Sequence, residues 1–360
     1  MENFLSYSLI VLLTSLLSIL IIFLNIKFGY KFIDNTQGVQ KFHTSPTPRV
    51  GGLGILITFF IAGFFFINSD KKLWFIIGFS ALPVFVFGIL EDFWGNINPR
   101  LRIIASFVTG MIFILLSSYV VEKIGVKGFD AFLSIYFVSF LFTSFAIAGV
   151  INSINIIDGF NGLASGSLII MFIAFAVIGH HVGDLLIFNF SLVMMLIFFG
   201  FLLINFPKGY IFLGDGGAYF GGFVLATIAI MLPYRNSEIS SWVSLLICLY
   251  PITETTFSIF RKVKRKGHHP SQPDGLHLHM LVYRSISKKI SKSKTIYDFR
   301  NPITGSVIWI LPILTTLTSI NFYHNIALVL FSIILFIIFY ILIYQKVSLN
   351  FSKFWRSKFK

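Results

Sequence analysis

Charge is what this chain has least of: 12% of its 360 residues are Asp, Glu, Lys or Arg, against 56% hydrophobic ones. Soluble proteins are charged at roughly a quarter of their positions, so the balance excludes an ordinary water-soluble fold. Cysteine is almost absent. Cys248 is the single one and sits in an apolar run, which excludes a disulfide framework and a cysteine-based metal cluster. No solenoid period, low-complexity tract or long hydrophilic segment interrupts the chain. What is there instead is 45 Phe and a mean hydropathy of +0.87. Apolar runs near or above the roughly 17 to 25 residues needed to cross a bilayer recur along the whole length. These features predict an all-α, polytopic integral membrane helical bundle, one domain over residues 1–360.

The expected spans are 4–26, 51–67, 73–90, 103–121, 131–151, 162–180, 185–205, 218–234, 241–260, 303–320 and 325–344. That makes about eleven, or ten if two merge. The first is expected to be a retained span rather than a signal peptide: it lacks a basic n-region and a small-residue cleavage site, and Lys27 and Lys31 follow it. Placing the N-terminus outside puts 23 of the 28 Lys and Arg on inner segments, as the positive-inside rule requires. The C-terminus is then cytoplasmic. Most inner cations lie in a basic loop, 261–302, and a basic tail, 345–360. The net charge of +14 therefore has an explanation in topology and anionic membrane lipid, with no nucleic acid as partner.

Acidic residues carry the sharper signal. Asp34, Glu91, Asp92, Asp158, Asp215, Asp274 and Asp298 all fall on inner segments, and Glu254 lies within the ninth span. Carboxylates at the edge of a bilayer are costly unless they meet a partner, a metal or water. In "INSINIIDGFNGLAS", Asn152, Asn155 and Asp158 at three-residue spacing share one helical arc of about 120°. Asn161 follows them, and Gly159 and Gly162 permit close backbone approach. Carboxamides that donate and accept suit a sugar, a nucleobase or a metal-bound water; interhelical hydrogen bonding is the plainer alternative.

In "FLGDGG", Asp215 stands between two glycines at the start of a span, suited to a hard cation such as Mg²⁺, which takes one or two carboxylates with water and phosphate oxygens. Its alternative role is a helix N-cap. Glu91 and Asp92, in "LEDFWGNINPRLR", are adjacent acids near Arg100 and Arg102, either a solvated ion-pair network or a second acidic edge beside metal and phosphate. His43, Thr47 and Arg49 precede Gly51 and Gly52 in "KFHTSPTPRVGG", and cations beside glycines suit phosphate. His268, His269, His277 and His279 cluster in "HHPSQPDGLHLHM", but a zinc site needs ligands of defined geometry that this run does not supply.

In that order on successive inner loops, "PTPRVGG", "LEDFWGNINPRLR", "NSINIIDGFNGLASG", "FLGDGG" and "PDGLHLH" resemble the polyprenyl-phosphate N-acetylhexosamine-1-phosphate transferases over about residues 34–284. The family includes enzymes that use GlcNAc-1-phosphate and the phospho-MurNAc-pentapeptide translocases. The resemblance implies transfer of a sugar phosphate from a UDP-N-acetylhexosamine to undecaprenyl phosphate with release of UMP, Mg²⁺ being required and Mn²⁺ a substitute. It places the protein in the bacterial inner membrane, at the start of a lipid-linked surface glycan such as O-antigen, and leaves open whether it forms a homodimer. By the same resemblance Asp215 is the metal ligand, and Asn155 and Asp158, with Asn161 after them in the loop, contribute to nucleotide binding and the active site, Asp158 as a catalytic residue; Asn152, on the same helical face, is expected to join the substrate contacts. His277 and His279 resemble the family's substrate-loop histidines, and Asp92, with Glu91 beside it, is a catalytic residue that acts on the lipid phosphate; His43 and Arg49 are expected substrate contacts from the cation-and-glycine reading of their own loop. Glu91 replaces the first acid of the family's Asp pair. Met280 stands in place of the last histidine of an H-x-H-H segment, and Gly275 where GlcNAc-transferring members carry Arg. These departures fall on the loop that touches the sugar, and the histidine cluster of the peptidoglycan enzyme is not reproduced. A membrane cation transporter is the rival reading, and it requires ionisable residues at mid-bilayer on several spans.

Overall fold

The computed structural model describes residues 2–28, 33–34, 47–65, 70–264, 275–287 and 299–358. His43, His268, His269, Asp274 and Asp298 lie outside the described residues. Secondary structure among those described is helical, apart from a two-residue antiparallel pairing of β1 (Ile33–Asp34) with β2 (Thr47–Pro48).

Eight helical segments are long and apolar enough to cross a membrane. They are α1 (Glu2–Lys27), α5 (Pro99–Ser117), α7 (Tyr136–Ile157), α8 (Leu163–His181), α9 (Leu185–Asn205), α10 (Gly214–Arg235), the joined α14 (Arg300–Ile308) and α15 (Ile310–Phe322), and α16 (Ile326–Lys358). Two bent pairs raise the number to ten: α3 (Lys71–Ser80) with α4 (Leu82–Trp94), bent by 43°, and α11 (Ser241–Ile247) with α12 (Leu249–Lys264), bent by 77°. The eleventh expected span is α2 (Gly51–Phe65), whose 15 residues reach only about 22 Å, short of a hydrocarbon core of about 30 Å. Short helices α6 (Lys127–Leu133) and α13 (Leu278–Val282) complete the set, and a π-helical turn, Tyr283–Ser287, follows α13.

Each break has a proline behind it. The interruptions fall at Ala81, Cys248 and Trp309, two or three residues before Pro83, Pro251 and Pro312. A proline lacks the N–H that would bond the carbonyl four residues back and its ring collides with that carbonyl.

Helix α10 is the axis of the bundle: 89% of its membrane window is buried, against 22% for α1 and 28% for α16 at the periphery. Its N-terminal half, Gly-Asp-Gly-Gly-Ala-Tyr-Phe-Gly-Gly, explains why neighbours approach so closely. A methyl on Gly88 of α4 would lie 2.7 Å from the Gly216 Cα, and one on Gly222 would lie 2.9 Å from the Ile151 Cα of α7. Lipid tails are as apolar as Leu, so packing through small residues takes the place of a hydrophobic driving force.

The end of the bundle remote from Asp215 is pinned by one acid. Asp184 caps α9 by accepting from the N–H groups of Leu186 and Ile187 at 3.1 and 3.2 Å. It also receives Arg235 Nε at 2.8 Å and Asn236 Nδ2 at 3.1 Å from the end of α10. Burial raises its pKa, but the Arg235 hydrogen bond and the other donors outweigh burial and hold it below the usual carboxylate value. A carboxylate with a depressed folded pKa adds stability that is present above its unfolded pKa and is lost as pH falls through the folded one. Asp184→Asn is therefore expected to lower Tm by a few degrees at pH 7, and the gap to wild type should begin to narrow below about pH 3.9, where the unfolded-state carboxyl protonates, and close only below the depressed folded value. Thermal melts of the detergent-solubilised protein across this pH range measure this.

Candidate active site

At the opposite end, the turn before α10 is built on Gly214, whose φ is +75°. A side chain there would be strained by that conformation. Its Cβ would also strike the carbonyl oxygen of Arg49 and lie 2.6 Å from Asp92 Oδ2. The segment after β2 runs alongside this turn. Phe212 N–H donates to Pro48 O at 2.8 Å, and the N–H groups of Gly51 and Gly52 donate to Phe212 O and Leu213 O, both at 3.0 Å. Backbone stitching thus sets Arg49 beside Asp215.

Asp92, in the last turn of α4, points into the open N-terminus of α10. Its Oδ1 accepts from Asp215 N–H at 2.8 Å and its Oδ2 from Gly216 N–H at 3.0 Å. This is N-terminal capping supplied by another helix, with the anion on the positive end of the dipole. The side chain has no exposure, and Arg49 Nε stands 3.2 Å from Oδ1.

Asp215 itself is held out from the helix. The N-cap position is Leu213, without a side-chain cap, so the alternative reading of Asp215 as an N-cap does not apply. Arg49 Nη2 lies 2.6 Å from Oδ1, Arg102 Nη1 lies 2.6 Å from Oδ2, and Asn155 Nδ2 donates to Oδ1 at 3.0 Å. Glu91 is 3.7 Å from Arg102 through Oε1, while its Oε2 accepts the Ile97 N–H at 2.8 Å. Glu91, Asp92, Arg102, Asn155, Arg49 and Asp215 therefore converge from five parts of the chain.

Asp158 follows α7 as its C-cap residue. Burial pushes its pKa up to about 7, with the Asp215 charge adding to the rise and Arg49 opposing it.

The remaining expected residues sit elsewhere. Asn152 donates to Ser106 Oγ at 3.2 Å and to Ala148 O at 2.8 Å, so its amide lies between α7 and α5. Asn161 is a strut: its Nδ2 donates to Pro207 O at 3.0 Å and its N–H to Asn301 Oδ1 at 2.7 Å. Gly162 is clamped by Asn205 Oδ1 at 2.6 Å and by Trp309 Nε1, which donates to its carbonyl at 3.0 Å. His277 Nδ1 is 3.1 Å from Glu254 Oε1. His279 is fully buried, stacks at 5.4 Å on His277 and meets Phe160 edge-on at 5.7 Å. Burial drives its pKa down to about 3, so the imidazole is neutral.

Sequence reading missed the clamps Asn205, Asn301 and Trp309. The only signal was that Asn205 precedes Phe206-Pro207, the turn whose carbonyl Asn161 bonds. Arg102 was noted only as a neighbour of Glu91 and Asp92, and the structure gives it Asp215 as its close partner.

Four carboxylates, Glu91, Asp92, Asp158 and Asp215, face two guanidiniums, Arg49 and Arg102, leaving two negative charges in excess when all are ionised. That excess and the hard oxygen donors fit a divalent cation held by one or two carboxylates. Among the described residues, no three His, Cys, Asp or Glu side chains form a closed metal cage. The fold and site thus define a polytopic membrane protein whose packed helix ends carry an acid and arginine centre suited to phosphate groups.

Residues 74–233 match the family model described as Glycosyl transferase family 4. A Bacillus subtilis (strain 168) protein named probable undecaprenyl-phosphate N-acetylglucosaminyl 1-phosphate transferase is 30% identical over 243 residues, covering 67% of this chain and 66% of the relative. A phospho-N-acetylmuramoyl-pentapeptide-transferase of Streptococcus pneumoniae (strain Taiwan19F-14) is 29% identical over 222 residues, covering 58% of this chain and 65% of the relative. The chain thus spans just under two thirds of the length of these relatives. It belongs to glycosyl transferase family 4.

Proposed function

We propose that this protein transfers an N-acetylhexosamine-1-phosphate, GlcNAc or a related amino sugar, from its UDP derivative to undecaprenyl phosphate and releases UMP. The observation that carries this reading is the Asp215 centre: one carboxylate gripped by Arg49 and Arg102 and backed by Asp92 and Asn155. It lies within the matched family segment apart from Arg49. The B. subtilis relative's name pairs the same lipid phosphate with N-acetylglucosamine. The rival transporter reading needs free mid-span acids, and its one candidate, Glu254, is tied to His277, Leu278 and Tyr340.

Asp215 is the residue that would hold Mg²⁺, which neutralises diphosphate charge when bound. Arg49 and Arg102 add two fixed positive charges beside it. A phosphate monoester has its second pKa near 6, so the lipid phosphate arrives mostly dianionic and needs positioning more than deprotonation. Its oxygen attacks the β-phosphorus of the UDP-sugar. The new P–O bond forms as the bond from the β-phosphorus to the bridging oxygen breaks, and UMP leaves with the electron pair. A single displacement of this kind inverts a chiral β-phosphorus, and retention would require a phospho-enzyme.

Asp158 is the carboxyl that takes any residual proton from the lipid phosphate. It is protonated below its pKa of about 7 and becomes a base above it. The expected outcome is a kcat/KM that rises with pH through that region and then levels. Asp158→Asn should remove the component near pH 7 and leave only the limb near pH 6 that belongs to the lipid phosphate; an acid limb unchanged in the variant refutes the assignment.

The function itself is tested by UMP release from membranes given undecaprenyl phosphate and a panel of UDP-GlcNAc, UDP-GalNAc, their 6-deoxy variants and UDP-MurNAc-pentapeptide. Turnover of a small amino-sugar donor is expected. Turnover of the pentapeptide donor alone would overturn the proposed donor class.

A further inference from the structure

One carboxylate lies inside a span and away from the Asp215 centre. Glu254, on α12 just beyond the 77° bend, is 1% exposed. A charge there is tolerated only with a full set of donors, and it has them. Oε1 accepts the Leu278 N–H at 3.0 Å and pairs with His277 Nδ1 at 3.1 Å, while Oε2 accepts the Tyr340 hydroxyl of α16 at 2.9 Å. A carboxylate oxygen only accepts, so the proton of His277 sits on Nδ1 and the ring orientation is fixed.

His277 in turn carries a second ring. His279 stacks on it with planes 2° from parallel. Neither nitrogen of His279 has a hydrogen-bond partner among the described residues, although the side chain is completely buried. Buried polar atoms are seldom left in that state. Its Nε2 faces Gly159, where an added Cβ would lie 3.2 Å away, and Gly159 adjoins Asp158. The missing side chain lets the orphan imidazole pack directly against the loop that carries Asp158.

We infer that Glu254 is a positioning residue: buttressed by Tyr340, it holds His277 and the start of α13 so that the His279 ring is presented to the sugar phosphate of the donor beside Gly159. This inference rests on the donor assignment proposed above. It gives the histidine segment a fixed, neutral donor and acceptor rather than a charge, and places its anchor on a different helix from the acids.

A double-mutant cycle tests it. Glu254→Ala and His277→Ala are each expected to lower kcat/KM for the UDP-sugar by ~10- to 100-fold, the range typical of losing a residue that orients a ligand-binding histidine. The double variant should be no worse than the poorer single one, since both remove the same support. Glu254→Gln keeps an acceptor for Leu278 and His277 and a donor toward Tyr340, so it should recover to within about tenfold of wild type. Multiplying losses in the double variant, or a Gln variant as poor as Ala, overturn the inference.

A second readout needs no turnover. Histidine modification by diethyl pyrocarbonate in detergent should leave His277 and His279 protected in wild type and modified in Glu254→Ala. Unchanged protection overturns the inference, with Tyr340→Phe as a milder variant should Ala fail to fold. Wild-type protein that releases no UMP from any donor would instead count against the proposed function, while the protection assay still reads the clamp.

Discussion

Asp215→Asn is expected to abolish UMP release, by ~10³-fold or more, while leaving expression and detergent elution unchanged. The size follows from the geometry. Asp215 is approached by Arg49 and Arg102 at 2.6 Å each, one on each oxygen. An amide keeps one acceptor and turns the other atom into a donor aimed at a guanidinium, which has donors only. One arginine must then swing away, and one of the negative charges that suit a divalent cation is lost. Electrostatic preorganisation of this sort is worth at least 10² to 10³ in rate for a single group. The backbone fold around it depends on Gly214 and Asp92 rather than on the Asp215 side chain, so the protein should still assemble. Full activity in the variant would sink the role given to this carboxylate; so would a loss of activity accompanied by loss of the monodisperse elution peak, since that would make the effect one of folding.

Much of this arrangement was legible in the chain before any coordinates. Length and apolarity alone place all eleven helical regions, the span 185–205 matching α9 (Leu185–Asn205) at both ends. The count shifts only because α2 is short and two spans bend. Those bends were readable too, from Pro83 and Pro251, had proline been weighed inside apolar runs rather than only in loops. The Asp215 loop was legible because glycines flank an acid at a span's start. Arg102 was not, because a cation three residues past a proline reads as positive-inside topology; only the packing of α5 against α4 and α7 turns it toward Asp215. Asn161 has a partner that the sequence did not show: its Nδ2 donates to Pro207 O, 46 residues along the chain. Three-residue spacing reports a shared face while the helix lasts, and α7 stops at Ile157.

For Asp92 we propose a role other than the action on the lipid phosphate that the family resemblance implies. The Asp92 carboxylate is enclosed, with its oxygens on the N–H groups of Asp215 and Gly216 and against Arg49 Nε. It orients the first turn of α10, and through it the Asp215 side chain. Asp92→Asn keeps one acceptor but sets its amide donors against a backbone N–H, and Asp92→Ala leaves two buried N–H groups unpaired at about 1 to 3 kcal/mol each. Both variants are expected to lose ~10²- to 10³-fold in kcat/KM, the Ala form also losing several degrees in Tm. The loss should be of a kind that a base would not give: the pH profile of the Asn variant keeps the wild-type shape at lower height, because Asp158 and not Asp92 sets it. Combining Asp92→Asn with Asp215→Asn should cost little beyond Asp215→Asn alone, as expected when one residue acts through the other. A variant whose acid limb vanishes, or whose loss multiplies fully with that of Asp215→Asn, would restore Asp92 to direct contact with the reacting phosphate.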